Sequence, residues 1–529
     1  MRDLEALNVR DFWEEAVRQA PDSVFLIHGE EHVSYREFNG RVDQAASAWF
    51  RLGVRKGDRV AFMLENRPEF LQCWLGLAKI GGILVAINTR WQSAEVEYFL
   101  ELCEPRYALV SEPHRDVFRS AIRDRSTLDK VLTFGEDASF IDFGTSLTEP
   151  AGDMPHVNLV AGDPISFIST SGTTGRPKAV MQTHGNYVLT GEGYAGWVEL
   201  QSSERIYLCL PLFHINSQTY TVMGAIAARA GIVLVERFSA SRFWSDMRQY
   251  HVNVFNHIGS MLVVLMKRDP APEELAHEVR LTYGGPALPG PVRAEVEERF
   301  GFTVISGIGM SETTFGLIEP LHQARRSGSL GTVRQHPDPR IRNEACVVDD
   351  DGRDVATGEV GELVFRSPVQ MKGYYRDPEQ TANTIRDGWL HTGDLVRQDA
   401  DGYFYFVDRK KDIIRVRGEN VSSSEVEQAL NEHPDVQDAS VVGVPSELTD
   451  EDIAAFVVAR PGSQPAAEEL AAWCRSRLAS FKVPHHVWLV PSLPKTETLR
   501  TEKHRLRADA LRRLETPAPM GSGDRRSDD

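Results

Sequence analysis

The chain has little of what marks membrane, secreted or nucleic-acid-binding proteins. No apolar run in it approaches the roughly 20 residues of a membrane span. Met1-Arg2-Asp3-Leu4-Glu5 carries no apolar signal-peptide core, so a cytoplasmic protein with no membrane partner is expected. Positive charge is in deficit: 59 Lys and Arg stand against 76 Asp and Glu, a formal net charge of −17. That balance excludes general affinity for nucleic-acid backbones and leaves anionic ligands to local basic sites. Cysteine is scarce as well. Cys73, Cys103, Cys209, Cys346 and Cys474 show no paired spacing, which indicates neither a disulfide frame nor a zinc site and points to small core residues.

What remains is an ordinary globular composition, 41% hydrophobic and 26% charged over 529 residues. That length is too great for one core and suggests roughly two to four packed subdomains. Helical and strand patterns alternate early: a helix over 35–52, a strand over 60–63, a helix over 68–80 ended by Gly81-Gly82, and a strand over 84–87. Such alternation predicts a layered α/β structure.

The most informative stretch is Ser169-Thr170-Ser171-Gly172-Thr173-Thr174-Gly175-Arg176-Pro177-Lys178. Glycines let backbone N–H groups turn inward, hydroxyls add donors and the lysine supplies charge, a composition suited to cradling polyphosphate. Apolar strands are expected on both sides, at 164–168 and 179–181. The spacing Gly172-x-x-Gly175-x-x-Lys178 departs from the strand-to-helix phosphate loop, whose glycines stand further apart.

This word resembles the phosphate loop of the ANL adenylate-forming superfamily, which includes acyl-CoA ligases, adenylation domains and beetle luciferases. The resemblance extends over about residues 7 to 510. It implies a large multi-subdomain N-terminal domain of layered sheets and helices over 1–408, a hinge at 409–412 and a small mobile α+β C-terminal domain over 413–515. The Pro/Gly/Ser/Asp-rich stretch 516–529 is expected to be disordered.

Later motifs extend the resemblance. In Pro211-Leu212-Phe213-His214, His214 matches the residue beside the carboxylate pocket that changes position between half-reactions. Amino-acid-activating relatives carry an aspartate there, so an α-amino acid substrate is not expected. Tyr283-Gly284-Gly285-Pro286 matches a border of the adenine and acyl pocket. In Ile308-Gly309-Met310-Ser311-Glu312, Ser311 matches the α-phosphate contact and Glu312 the magnesium ligand, with Thr170 as a second contact on the metal side. Ile308 stands where the family usually stacks a tyrosine on adenine, so the aromatic contribution is lost. Asp394, in His391-Thr392-Gly393-Asp394, matches the ribose ligand. Arg409 matches the ribose and phosphate contact, and Lys411 the hinge residue. The Arg417-Gly418 segment matches the wall of the pantetheine tunnel, near basic residues that meet CoA phosphates, and its wording looks closest to carnitine-CoA-ligase-like enzymes. The implied cofactors are ATP, or acyl-adenylate and AMP, with CoA and, for adenylation, Mg2+. Oligomeric state stays open, a homodimer included.

The closing motif departs from the family. Its closing motif, Pro-x-Thr-x-x-Gly-Lys, here reads Pro494-Lys495-Thr496-Glu497-Thr498-Leu499-Arg500. Arg500 therefore replaces the lysine that bridges the carboxylate and the ATP α-phosphate. Arginine keeps the charge but is planar and forked and cannot occupy the same point. Three readings follow. The first is a ligase specialised for thioesterification that accepts acyl-adenylate from a partner enzyme, resembling divided ligases of diterpenoid antibiotic pathways. The second is a complete ligase using Lys503, Lys495 or Arg500 itself. The third is a non-catalytic ligand-binding protein on the same scaffold.

Overall fold

The computed structural model describes residues 3–515 except 124–127, 153, 155, 172–176, 286, 289, 324, 417–418, 447–450 and 496–500; the side chains of Ser171, Glu273 and Glu515 are also outside the description. The fold is mixed α/β, with a large N-terminal domain and a small C-terminal domain. Two compact units form along this division. The first comprises Met1–Cys346, Val364–Thr392 and Gln398–Tyr405; the second comprises Val347–Leu363, Gly393–Arg397 and Phe406–Asp529. Packing thus groups two earlier stretches of chain with the C-terminal part.

In the first unit, the helix expected over 35–52 is Tyr35–Leu52. Ser34 caps it by accepting from the Glu37 N–H, and the Glu37 side chain reaches back to the Ser34 N–H. The next helix is Pro68–Lys79, with Pro68 at its first turn where no N–H is needed. Between these helices run Arg59–Met63 and Ile83–Ala86, paired in parallel. Every residue of Ile83–Ala86 is buried, as expected of a strand covered on both faces.

These strands belong to a sheet whose described order is Gly373–Tyr374, Pro177–Thr183, Pro164–Ser171, Ile83–Ala86, Arg59–Met63, Tyr107–Val110, Lys130–Thr133 and Ile141–Asp142. A second sheet of this unit runs from Glu31–Ser34 through Val24–His28, Gly231–Leu234, Arg205–Leu208, Val254–Ile258, Leu281–Gly285, Thr303–Met310 and Thr313–Ile318 to Ser329–Val333. Chain direction reverses at Thr303–Met310, which is parallel to Leu281–Gly285 but antiparallel to Thr313–Ile318. The phosphate-loop hairpin lies in the first of these sheets and the Glu312 turn in the second.

The second unit packs helices Ser423–Asn431 and Ala467–Arg475 on a three-stranded sheet of Val436–Pro445, Glu451–Ala459 and His486–Leu489. Its core joins Ile414, Val416, Val426, Leu430, Val441, Ile453, Val457 and Leu470. Among the described residues no helix is long and apolar enough to cross a membrane.

Candidate active site

The strands flanking the phosphate loop are longer than expected, Pro164–Ser171 and Pro177–Thr183, and pair antiparallel with Thr170 opposite Lys178. Ile165, Phe167, Ile168, Ala179 and Val180 are buried, so sheet packing fixes where the loop leaves and returns. Gly172, Thr173, Thr174 and Gly175 lie outside the described residues, as does the Ser171 side chain.

Lys178 Nζ stands 4.8 Å from the centre of the Tyr374 ring, and the Tyr374 hydroxyl donates to Glu312 Oε1 at 2.8 Å. The lysine of one motif and the glutamate of another therefore converge on a tyrosine from a third segment. Burial, reinforced by the neighbouring Glu312 carboxylate, pushes the Tyr374 phenol well up, so it keeps its proton and remains a donor. The backbone holds the same arrangement: Met371 N–H donates to the Glu312 carbonyl at 2.7 Å. Gln182 Nε2 donates to the Ser311 carbonyl at 2.6 Å, and Asn186 Nδ2 to Gln182 Oε1 at 2.7 Å. Glu312 and Thr170 offer carboxylate and hydroxyl oxygens, the hard donors that magnesium takes, and so fit the metal the family uses for adenylation.

Gly284 lies opposite His257 on one side and Ser306 on the other. A Cβ at Gly284 would collide with the His257 carbonyl oxygen, and one at Gly285 would come 2.7 Å from the Gly307 oxygen. Glycine at these two positions admits the neighbouring strands. Pro286 is outside the described residues. Ile308 pairs with Leu317 and Met310 with Thr313, with an irregular register between them. Ile308, Met310 and Ser311 are half-buried, and Gly309 is exposed.

Arg334 packs against this motif, with 0% of its surface exposed. Its Nε donates to the Leu317 carbonyl at 2.9 Å, its Nη1 to Tyr220 Oη at 2.9 Å and the Thr314 carbonyl at 3.1 Å, and its Nη2 to Tyr283 Oη. On the strand paired with Leu281–Gly285, His257 is buried and holds Thr282 Oγ1 through Nδ1 at 2.8 Å, while its Nε2 has no partner among the described residues. Burial drives the His257 pKa down to about 3, so it is neutral.

His214 is half-buried, its N–H donating to the Pro211 carbonyl at 3.1 Å. Two residues on, a π-helical segment begins, Asn216–Val222, a rare geometry that recurs at functional sites. Tyr220 on that segment donates to the Thr314 carbonyl at 2.6 Å, which ties the His214 segment to the strand after Glu312.

In the second unit Asp394 is 3% exposed and pairs with Arg409, Nε to Oδ1, at 3.1 Å. Next to them, Glu362 accepts from the Gly393 N–H at 3.0 Å and from Lys410 Nζ at 3.2 Å. Lys411 is exposed in a single 3-10 turn, Lys410–Asp412. Asp408, 1% exposed, accepts from Ser422 Oγ and Ser423 Oγ at 2.9 Å each and from the Ser424 N–H at 3.2 Å. A carboxylate thus sits at the N-terminus of helix Ser423–Asn431, where the helix dipole favours it. Ser422 also caps that helix, accepting from the Glu425 N–H at 3.2 Å. Arg417, Gly418, Leu499 and Arg500 lie outside the described residues. Lys503 pairs with Glu427 at 2.9 Å, and Lys495 pairs with Asp438.

Residues 13–375 match the family model described as AMP-binding enzyme, and residues 425–499 that of the AMP-binding enzyme C-terminal domain. The chain is an acyl-CoA ligase of the AMP-binding, or ANL, superfamily. It is 34% identical over 505 residues to crotonobetaine/carnitine–CoA ligases of Salmonella paratyphi B and Salmonella typhimurium, covering 92% of this chain and 96% of each relative. An anthranilate CoA ligase, AuaEII, solved with anthranoyl-AMP, aligns with a TM-score of 0.87 and 26% identity over 97% of this chain and 99% of that one. An o-succinylbenzoate CoA synthetase from Bacillus subtilis, solved with AMP, aligns with a TM-score of 0.82 and 26% identity over 94% and 97%. AMP or ATP and CoA are accordingly consistent with this acyl-CoA ligase. The structure adds Tyr374, Gln182 and Arg334 to the residues the sequence singles out. Of these, only Tyr374 stands in a stretch with a local signal, the Gly373-Tyr374-Tyr375 word.

Proposed function

We propose that this ligase forms a CoA thioester from the acyl-adenylate of a carboxylic acid, and that its own adenylation half-reaction is impaired. Arg500 carries the proposal, standing where the family places a lysine between the substrate carboxylate and the α-phosphate. Adenylation gathers negative charge on the pentavalent phosphorus and the attacking carboxylate, and a compact cation must meet it there. A forked guanidinium following Leu499 instead of glycine does not reproduce that point.

The other two candidate cations have carboxylate partners. Lys503 is paired with Glu427 and Lys495 with Asp438, which supports the impaired reading. The thioester step makes no such demand. The CoA thiolate attacks the acyl carbonyl, a carbon–sulfur bond forms, and the carbon–oxygen bond to AMP breaks. By resemblance Asp394 and Arg409 hold ribose and phosphate, Ser311 the α-phosphate, and Ile308 covers adenine. His214 lies beside the reacting carbonyl, the 417–418 segment walls the pantetheine arm, and Lys411 is the hinge. Magnesium, held by Glu312 and Thr170, would neutralise polyphosphate charge in any residual adenylation. A separate adenylating ligase would supply the adenylate.

The test is a split assay on purified protein: pyrophosphate release from acid plus ATP, and thioester formation from supplied acyl-adenylate. Thioester without pyrophosphate, with pyrophosphate release recovered in Arg500→Lys, is the expected result. Robust pyrophosphate release by the unmodified enzyme would sink the proposal.

A further inference from the structure

Arg334 is a fully buried cation whose hydrogen-bond partners among the described residues are all neutral: two backbone carbonyls and two phenols. Burial pushes the Tyr283 phenol up, against the pull of Arg334, so this tyrosine does not supply the counter-charge. A buried charge without an opposite partner is strongly unfavourable. Its structural bonds to Leu317 and Thr314 could be made by a neutral side chain, so the charge is what needs a reason. The guanidinium also has five N–H donors, four of which are accounted for by these bonds. The fifth, on Nη2, has no acceptor among the described residues.

The surroundings say where a ligand would meet it. Tyr220 lies six residues beyond His214, Tyr283 directly precedes Gly284, and Gly307 directly precedes Ile308. These are the three segments that resemblance places around the acyl pocket. A Cβ at Gly307 would lie 2.5 Å from Arg334 Nη2, and one at Gly309 would lie 2.6 Å from Tyr220 Oη. Glycine at both positions lets the cage reach the bare backbone of the motif. The rings of Trp197, Tyr220 and Tyr283 lie 4.9, 5.4 and 5.0 Å from the guanidinium carbon, which fixes its plane.

We propose that the acid accepted by this ligase carries a second carboxylate, remote from the reacting one, that is read by Arg334 together with Tyr283. The remaining Nη2 N–H and the Tyr283 hydroxyl can each donate to one carboxylate oxygen, while the Tyr220 hydroxyl, given to the Thr314 carbonyl, holds the guanidinium in place. A trimethylammonium acid such as carnitine would instead set cation against cation. This assignment rests on the acyl-adenylate-binding reading above and adds the substrate class to it.

The test uses non-hydrolysable acyl-sulfamoyl-adenosines in length-matched pairs: succinyl against butanoyl, glutaryl against pentanoyl, adipoyl against hexanoyl. Their binding to the full-length protein is measured by calorimetry, so turnover is not needed. In at least one pair the diacid analogue should bind about tenfold or more tightly, and Arg334→Gln should bring the pair to within about twofold. Tyr283→Phe, which removes one hydroxyl from the cage, should reduce the preference and serves if Arg334→Gln does not fold. Equal binding in every pair, or a preference that survives Arg334→Gln, would overturn the proposal. Failure of all six analogues to bind would instead strike the acyl-adenylate reading beneath it.

Discussion

In the first unit His184 and His257 are buried as neutral rings, and Glu312 is met by a neutral tyrosine hydroxyl. In the second, Asp408 gathers a row of serines at a helix N-terminus, Glu427 holds Lys503, and Asp394 holds Arg409. The first unit keeps its buried histidines uncharged beside paired charges such as Glu319 with Arg293 and Glu274 with Arg299, whereas the carboxylates named in the second are all paired or capped. A neutral buried group is sensitive to pH, and a paired one to loss of its partner. The two units should therefore fail under different perturbations.

The largest effect is expected at the position where the second unit departs from its family. Arg500→Lys should raise pyrophosphate release by roughly 10²–10³-fold, the usual worth of one preorganised contact to developing charge. Thioester formation from supplied adenylate should change little. An equal rise in both steps would place Arg500 in the thioester reaction as well.

Acid should act on the first unit. Burial lowers the pKa of His184 to about 4 and that of His257 to about 3, whereas unfolded histidine titrates near ~6.5. The unfolded chain then binds more protons below that pH, so stability is lost as pH falls from about 6.5 towards 4, by about 2–3 kcal/mol per histidine. Denaturant melts from pH 7 to pH 4 should show this slope, and His257→Gln should flatten it. A slope unchanged in that variant would remove His257 from the account.

The paired unit is broken from the other side. Lys503→Met leaves the largely buried Glu427, whose pKa burial already raises, without its cation. A loss of about 2–3 kcal/mol is expected. Hydrogen exchange should rise in Ser423–Asn431 and Lys503–Glu515 while the strands around Gly284 and Ile308 keep their protection. Uniform loss across both units would contradict the comparison.

The smallest effect is expected at Tyr374→Phe, which removes a hydrogen bond of about 1–1.5 kcal/mol. Glu312 would be less firmly held, and Mn2+·ATP, followed by electron paramagnetic resonance, should bind several-fold more weakly. Unchanged affinity would make Tyr374 a packing residue only.

Legibility in the sequence followed the range of the signals. The hairpin of Thr170 and Lys178 could be read because apolar residues flank the glycine-rich word on both sides. Ser422 and Glu425 announced their helix through a capping pattern that is local by nature. Tyr374 could not be paired with Glu312, which lies 62 residues away along the chain. Arg334 was invisible for another reason: arginine is mostly exposed in folded proteins, and only segments far apart in the chain, folded together, bury this one. Asp408 belongs to a charge run that reads as a solvated linker, and its burial depends on serines that follow it by 14 to 16 residues.

The assembly of the second unit from three separate stretches bears on how the protein is made. Glu362 leaves the ribosome 48 residues before Lys410, and Asp394 leaves before Arg409. While the first unit's sheets are already completing, these carboxylates remain open to water and wait for cations not yet synthesised. The C-terminal unit therefore cannot be expressed whole by starting the chain at the hinge, because some of its acids are encoded upstream of it.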